Sequence, residues 1–121
     1  MAVRMIRGAI TTENDKEEIL ADTTALLQEI IARNALAVED IVSIWFTATR
    51  ELTAVYPAVA ARAIGITEAG LMCGQELYIE GSMPKCVRVL VTIDTDLAQG
   101  AMQHVYLKDA VRLRPDLANA E

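Results

Sequence analysis

Apolar positions recur along the chain with two different periods, and these periods predict both strands and helices. Residues 3–11 (VRMIRGAIT) are rich in apolar and β-branched side chains and end at a polar cluster, which is typical of a strand. From about residue 15 to 33, apolar residues recur every three or four positions between charged ones, which predicts a long amphipathic helix. Asn14 or Asp15 is suited to cap that helix.

Two later apolar runs predict further strands, and a proline predicts a second helix between them. Residues 41–49 are almost continuously apolar and β-branched, which is typical of a strand buried on both faces beneath packed helices. Residues 86–94 (CVRVLVTID) have the strongest strand pattern in the chain. Pro57 suits the start of a short helix that reaches about Ile64 and ends at Gly65. Weaker patterns predict a strand at 70–73, a loop at 81–84, an extended segment at 104–106, a helical turn at 107–111 and loosely ordered last residues. The class is therefore α/β or α+β.

Composition limits the size and the class of the protein. With 121 residues the chain is predicted to be one domain, residues 1–121, large enough to bury its own core. Hydrophobic residues make up 53% and aromatic residues only 4%, with a mean hydropathy of +0.27, which excludes intrinsic disorder. No apolar stretch approaches the roughly 20 residues that span a bilayer, so no membrane association is expected. A 13.2 kDa monomer has difficulty covering so much aliphatic surface, so we expect part of it to be buried between subunits.

The charge balance favours a small anionic ligand over nucleic acid. The net charge is −6, from 11 basic and 17 acidic residues, whereas nonspecific nucleic-acid binding needs clustered positive charge. Eight of the 11 basic residues are arginines. Arginine is preferred to lysine where a carboxylate or phosphate is held in fixed geometry.

The cysteines and the first residues are typical of a cytoplasmic protein. Cys73 and Cys86 are the only cysteines, they form no zinc pattern, and we expect both to be free thiols in a reducing compartment. The segment MAVRMIRGAI has no apolar core of signal-peptide length. Neither a metal-ligand spacing nor a phosphate-binding glycine motif occurs, so no metal or nucleotide cofactor is predicted.

Charged residues inside apolar strands are the main candidates for a site. Arg7 and Arg88 must face solvent, pair with an acid or line a site, and an edge strand with one wet face would also accommodate either of them. Cys73 and Glu76, three residues apart, could both reach one polar ligand. Alternatively, Glu76 pairs with an arginine, or the two are a surface acid and a buried thiol. His104 is the only histidine and accompanies no recognisable nucleophile, so we interpret it as a structural residue.

Six short blocks of sequence, each weak alone, form an ordered set along nearly the whole chain. They are RMIRGA at 4–9, YPA at 56–58 with Arg62, CGQE at 73–76, CVRV at 86–89, HVYL at 104–107 and LRPDL at 113–117. Together they resemble the monofunctional chorismate mutases of the trimeric, pseudo-α/β-barrel class. The resemblance implies a mixed sheet with one long helix packed on it, and three subunits that form the barrel core with active sites between neighbours.

The same resemblance implies a reaction. Members of that family convert chorismate to prephenate by an intramolecular Claisen rearrangement, the committed step toward phenylalanine and tyrosine. They use no cofactor, no metal and no covalent intermediate. Such chemistry needs positioning and preorganised charge rather than a general base, in keeping with the arginine-rich composition.

The resemblance also implies roles for individual residues. Arg88 would donate to the ether oxygen and to a carboxylate of chorismate, and Glu76 would hold Arg88 in place. Arg7, helped by the Tyr106 hydroxyl, would bind a carboxylate, which makes Arg88, Glu76 and Arg7 the expected catalytic set. Cys73 would contact the ring hydroxyl together with Glu76. Further substrate contacts would come from Arg62 at the mouth of the site, from Met72, and from the apolar walls of Tyr56, Ala58 and Leu113.

Three positions depart from the family pattern. Tyr56 stands where phenylalanine is frequent, Val59 where a lysine can occur, and Met72 where a small hydroxyl residue is common. The last two changes remove a secondary positive partner and a possible side-chain hydrogen bond.

Two alternatives remain open: a trimeric enzyme similar to the imine deaminases, and a noncatalytic module that binds an anionic metabolite. The block from Cys73 to Glu76 and the closing segment 114–116 favour the mutase over the deaminase.

Overall fold

A mixed five-stranded β-sheet organises the chain, and helices pack on one of its faces. This computed structural model describes residues 2–118. The strands are β1 (Ala2–Thr11), β2 (Ile41–Ala48), β3 (Gly70–Gln75), β4 (Cys86–Thr95) and β5 (Val105–Leu107). The α-helices are α1 (Lys16–Arg33), α2 (Ala58–Ala63) and α3 (Pro115–Ala118), and 3₁₀ turns cover Val38–Asp40, Gln99–Ala101 and Lys108–Leu113. The expectation of loosely ordered terminal residues concerns 119–121, which lie outside the described residues.

The strand order places β4 at the centre of the sheet. The order is β3-β2-β4-β1-β5. β4 runs antiparallel to both β1 and β2, whereas the pairs β2–β3 and β1–β5 are parallel. The α+β class with a mixed sheet is thereby confirmed.

The long helix forms where the apolar spacing predicts it. Its N-terminus is capped by Asp15, whose carboxylate accepts a hydrogen bond of 3.0 Å from a first-turn backbone N–H. Gly8 of β1 lies directly below α1, and a Cβ atom there would be 2.9 Å from Ile30 Cδ1 and 3.2 Å from Leu26 Cδ1. Glycine therefore lets the helix approach closely the strand that carries Arg7. The buried face of the helix consists of Ile19, Thr23, Leu26, Leu27 and Ile30.

The second helix follows its predicted start and stop signals. α2 begins directly after Pro57, and the chain leaves it through Gly65 at φ +95°, in the left-handed region that favours glycine. Its buried residues are small, which lets α2 lie against α1. Of the helices within residues 2–118, none has the length and apolar character that would let it cross a membrane.

The prediction that residues 41–49 are buried on both faces is wrong for the single chain. On β2, Ile44 and Phe46 are fully buried, but Trp45 between them is 50% exposed. The cause is that α1 and α2 cover one face of the sheet, so alternate side chains of each strand point toward the other face. Ala110 and its neighbours cover that face around Ala9 and Cys86, whereas it is open around Trp45. We call this surface the open face. It is defined by four residues that are between 44% and 57% exposed: Val3, Met5, Trp45 and Met72.

Candidate active site

The two strand arginines project from the open face on neighbouring strands. In the antiparallel register of β1 and β4, Arg7 is opposite Leu90 and Ala9 is opposite Arg88, so the arginines are diagonal neighbours. The alternative of an edge strand with one wet face is wrong for Arg88, because β4 is the central strand. A cation at the centre of a sheet face needs a partner or a ligand.

Glu76 holds the Arg88 side chain in one orientation. Arg88 Nε donates to Glu76 Oε2 at 2.9 Å, and Arg88 Nη2 donates to Oε1 at 2.5 Å. Thr47, which is opposite Arg88 in the register of β2 and β4, donates its hydroxyl to Oε2 at 2.6 Å. A two-point contact between a carboxylate and a guanidinium fixes the plane of the guanidinium. Of the three interpretations of Glu76, the structure therefore shows the pairing with an arginine.

Both members of this pair are charged at neutral pH. Hydrogen bonds from Arg88, and to a smaller extent from Thr47, hold the pKa of Glu76 below its usual value of 4.5 in spite of partial burial. The Glu76 carboxylate raises the pKa of Arg88, against the opposing effect of burial. Neither group is poised to exchange a proton near pH 7, so the pair acts as fixed charge and fixed donors rather than as acid and base.

Arg7 and the Arg88–Glu76 pair line one groove of about 280 Å³, which we call the arginine groove. Tyr106 of β5 also lines it. Burial raises the pKa of Tyr106, with nearby arginines opposing the shift, so its hydroxyl is protonated at neutral pH. Two guanidinium groups and a phenol hydroxyl form a donor set suited to a carboxylate. The walls of the groove are completed by Gly8, Trp45, Thr47, Val89 and Leu90.

The nearby histidine and cysteine do not form a nucleophile–base pair. His104 Nδ1 accepts a hydrogen bond of 2.9 Å from the backbone N–H of Arg7, which agrees with a structural interpretation. Burial raises the pKa of Cys86 to about 11, so its thiol is protonated at neutral pH. Among residues 2–118, no three or more His, Cys, Asp or Glu side chains are grouped so that they could hold a metal ion.

A second groove, of about 610 Å³, lies between the end of β2, the start of α2 and β3, and we call it the β2–α2 groove. Tyr56 and Cys73 line it, and Tyr56 is 72% exposed. Arg50 also lines it, with its guanidinium stacked 3.6 Å above the centroid of the Tyr78 ring. This groove therefore contains predicted site residues that the arginine groove lacks.

Cys73 and Glu76 lie on opposite sides of the sheet. Cys73 is opposite the buried Phe46 in the parallel register of β2 and β3, and it packs against the core beneath the helices. Glu76 reaches Arg88 across the open face. A single chain therefore does not bring these two side chains to one ligand.

Four other predicted site residues line neither of these two grooves. Ala58 is buried in the core at the start of α2, and Arg62 is exposed on the same helix. Met72 is 55% exposed on the open face. Leu113 packs against a small cluster that contains Tyr106, next to the arginine groove.

Sequence reasoning missed several residues of these grooves, among them Trp45, Thr47 and Arg50. Trp45 and Thr47 alternate with buried residues on β2, but residues 41–49 show no clear period of two in sequence, because Trp45 is as apolar as its buried neighbours. Arg50 follows the end of β2, where its spacing carries no signal. The contact between Thr47 and Glu76 joins residues 29 positions apart and depends on the register of the sheet.

Fold and site together define a small α+β protein with a groove that two strand arginines line. Comparisons with known proteins extend this description. A sequence model of the chorismate mutase type I family matches residues 3–117. The chain therefore belongs to the chorismate mutase type I family, and it is an isomerase.

Individual relatives agree with this assignment over nearly the full chain. The chorismate mutase AroH of Thermus thermophilus is 43% identical over 121 residues, which cover 98% of this chain and 99% of the relative. That of Bacillus subtilis (strain 168) is 45% identical over 120 residues, covering 98% and 94%. A solved structure of a chorismate mutase from Clostridium thermocellum is 45% identical, with a TM-score of 0.86 over 88% of this chain and 96% of that chain.

Proposed function

We propose that this protein converts chorismate to prephenate in the arginine groove, as a step in phenylalanine and tyrosine biosynthesis. The observation that carries the proposal is the Arg88 guanidinium, which Glu76 holds by two hydrogen bonds at the centre of the open face. In the rearrangement an ether C–O bond breaks while a C–C bond forms within the same molecule, so nothing is added or lost. Family membership supports the reaction, and the geometry supports the roles of the residues.

Arg88 would stabilise the charge that develops on the ether oxygen. A guanidinium has about five N–H donors, and two of them are used by Glu76. The other three, on Nη1 and Nη2, are left for the ether oxygen and a neighbouring carboxylate. Because Glu76 and Thr47 hold the guanidinium before substrate arrives, little reorganisation is needed when negative charge grows.

Arg7 and Tyr106 would hold a carboxylate of the substrate and so impose a reactive, folded conformation. Both line the arginine groove with Arg88. Chorismate is a dicarboxylate, and fixing its charged groups brings the two carbon atoms that must bond into proximity. Proton transfer has no part in this mechanism, which agrees with the ionised state of Glu76 and the protonated thiol of Cys86.

We further propose that three copies of the chain form a closed ring, with each active site between two neighbours. The open face is apolar and uncovered, and Val3, Met5, Trp45 and Met72 would be buried against another copy. Predicted site residues divide between two grooves of one chain, so the β2–α2 groove of a neighbour would supply Tyr56 and Cys73. Val59 stands where the family can have a lysine and carries no charge. Arg50 is the basic residue that lines the β2–α2 groove.

The cysteines support a cytoplasmic location, which we also propose. Cys73 and Cys86 are both free thiols, and they are the only cysteines of the chain. Free thiols persist in a reducing compartment.

A single assay tests the reaction. We expect the purified protein to deplete chorismate, followed by the loss of its ultraviolet absorbance, and to yield an equimolar amount of prephenate. A folded oligomer that binds chorismate without turnover would instead favour the noncatalytic binding module. Turnover of an imine substrate but not of chorismate would favour the deaminase.

Complementation between variants tests the shared site. Arg88→Ala damages the arginine groove, and Tyr56→Asp places a negative charge in the β2–α2 groove at a side chain that is 72% exposed. Each variant alone should be nearly inactive. After subunit exchange in an equal mixture, about one quarter of the sites in a three-membered ring would combine two intact grooves. The control mixture of Arg88→Ala with Glu76→Gln, both in one groove, should recover nothing, and equal inactivity of both mixtures would contradict sites between subunits.

A further inference from the structure

Along one edge of β1, side chains form the backbone hydrogen bonds that a neighbouring strand would otherwise form. β5 pairs with β1 at Gly8–Ile10, and within residues 2–118 no strand pairs with the preceding half of β1 on that side. Gln99 bonds both backbone groups of Met5, with Oε1 accepting from the N–H at 3.0 Å and Nε2 donating to the carbonyl at 2.6 Å. Two residues further on, His104 Nδ1 accepts from the N–H of Arg7 at 2.9 Å. The imidazole nitrogen thus accepts the hydrogen bond that a carbonyl of a neighbouring strand would otherwise accept. Its donor is the backbone of Arg7, one of the two arginines of the groove.

This hydrogen bond requires a neutral imidazole. Nδ1 accepts only when it is unprotonated, so the ring proton is on Nε2. Burial, followed by the charges of Arg7 and Arg114, holds the pKa of His104 below its usual value of 6.5. Arg114 is itself paired with Asp116 at 2.9 Å, and the neighbouring Tyr106 hydroxyl is neutral. The charges that act on His104 therefore favour its neutral form at pH 7.

The backbone that carries His104 is held from the opposite side by α1. Asn34, at the end of α1, donates to the carbonyl of Gln103 at 2.9 Å and accepts from its N–H at 2.8 Å. The charged groups that join α1 to this region are Asp22 and Lys108, which pair with each other at 2.7 Å. Since residue 103 is fixed by two hydrogen bonds and residue 105 by the sheet, His104 is a firm support for its partner.

We propose that His104 is a positioning residue for the rearrangement, which acts by holding the backbone of Arg7 so that its guanidinium faces the arginine groove. The inference rests on the proposed function, because it assumes that Arg7 binds a carboxylate of the substrate. His104 itself lines no part of the groove and touches no reacting atom. Its effect is expected on substrate binding more than on the chemical step.

Three variants separate positioning from simple structural support. His104→Asn retains an acceptor, because Oδ1 is the same number of bonds from the backbone as Nδ1, and it should keep KM and kcat within about twofold of wild type. His104→Phe removes the acceptor and should raise KM about fivefold with a smaller change in kcat, the ratio expected for one lost hydrogen bond. Gln99→Leu removes the equivalent support at Met5 and should leave both constants within about twofold.

The pH dependence gives a readout with a defined sign. As the pH falls through the lowered pKa of His104, protonation of Nδ1 places a donor against the N–H of Arg7 and breaks the hydrogen bond. The added positive charge alone would attract a dicarboxylate and lower KM. A rise of KM in acid, present in wild type and absent from His104→Asn, therefore reports the loss of the hydrogen bond and not the gain of charge.

A readout independent of turnover completes the test. The Arg7 amide resonance of wild type should titrate together with the His104 ring, and the same amide in His104→Asn should not. The proposal is overturned if His104→Phe leaves KM unchanged, if His104→Asn keeps the acid rise of KM, or if the Arg7 amide does not follow His104. Absence of chorismate turnover in wild type would refute the proposed function, while the amide titration would still decide whether His104 holds Arg7.

Discussion

Replacing Arg88 by lysine keeps the charge and removes the geometry, so it tests the central claim about the site. In wild type, Glu76 binds Arg88 at two points, at 2.9 Å and 2.5 Å, and leaves the remaining N–H groups in a fixed plane. An ammonium has about three donors on one nitrogen and cannot form that two-point contact. With one donor used by Glu76, the others have no fixed direction toward an ether oxygen.

The expected loss follows from the kind of interaction removed. Loss of one preorganised donor to a developing oxyanion lowers kcat about 10²–10³-fold, or about 2.7–4 kcal/mol. We therefore expect Arg88→Lys to lose at least about 100-fold in kcat. The ether oxygen gains its charge mainly in the transition state, so most of the loss should appear in kcat, with a smaller rise of KM because Arg88 would also contact a substrate carboxylate.

The measurement is steady-state chorismate consumption, with the oligomeric state checked by size-exclusion chromatography and light scattering. Arg112→Lys is the matched control, because the Arg112 side chain is 73% exposed and its ion pair with Asp109, at 3.9 Å, is a weak surface contact. It should retain full activity. Turnover of Arg88→Lys within a few-fold of wild type, in an intact oligomer, would refute the assigned role of the guanidinium.

Three further predictions concern pH and stability. The kcat of wild type should be nearly flat from about pH 6 to 9, because no proton is transferred and the lowered pKa of Glu76 keeps it ionised; a bell-shaped profile would contradict this. Gly8→Ala should lower the free energy of unfolding by about 1–2 kcal/mol in urea titrations, because the new methyl group lies 2.9 Å from Ile30 Cδ1. An unchanged urea midpoint would show that α1 can shift away from β1 at no cost in stability. Burial acts to raise the pKa of Glu51, but hydrogen bonds, including one of 2.6 Å from the Lys85 N–H, leave it below 4.5. The ionised Glu51 carboxylate therefore stabilises the fold fully above its pKa in the unfolded chain, and this stabilisation is lost as the pH falls through its lower pKa in the folded protein. Glu51→Gln should accordingly lower the urea midpoint at pH 7 and change it little at pH 3.

Local patterns were sufficient for the elements but not for what covers them. The three- and four-residue spacing of α1 and the apolar run of β4 describe contacts within one helix or strand, and both elements form where predicted. For β2 the same reasoning led to two buried faces, because Trp45 is as apolar as its buried neighbours Ile44 and Phe46. An apolar side chain indicates that something covers it, and it does not indicate whether the cover is a helix of the same chain or another subunit.

From the residues alone, the site was predictable only where a residue conflicted with its surroundings, whereas Tyr106 and the role of Glu76 in holding Arg88 came from the family resemblance. Arg7 and Arg88 were visible as candidates because charge is costly within an apolar strand. Thr47 and His104 fit their surroundings, and their roles depend on which residues the sheet register places opposite them, 41 and 97 positions away in the chain. No local spacing encodes such pairs, so the residues alone indicated a candidate anion site with arginines but not the contacts that Thr47 and His104 form.

The apolar open face and the arginines that project from it have a common consequence for the proposed assembly. Any partner that covers Met5 and Trp45 also withdraws Arg7 and Arg88 from water, since all four belong to the same face. Electrostatic interactions strengthen as the surrounding dielectric constant falls, so association would increase the effect of each guanidinium on a developing charge. Arginine tolerates this change where lysine does not, because it stays protonated when desolvated. The excess of arginine over lysine and the excess of aliphatic surface would therefore have one explanation, the proposed assembly, in which a neighbouring copy covers the sheet face and completes the site.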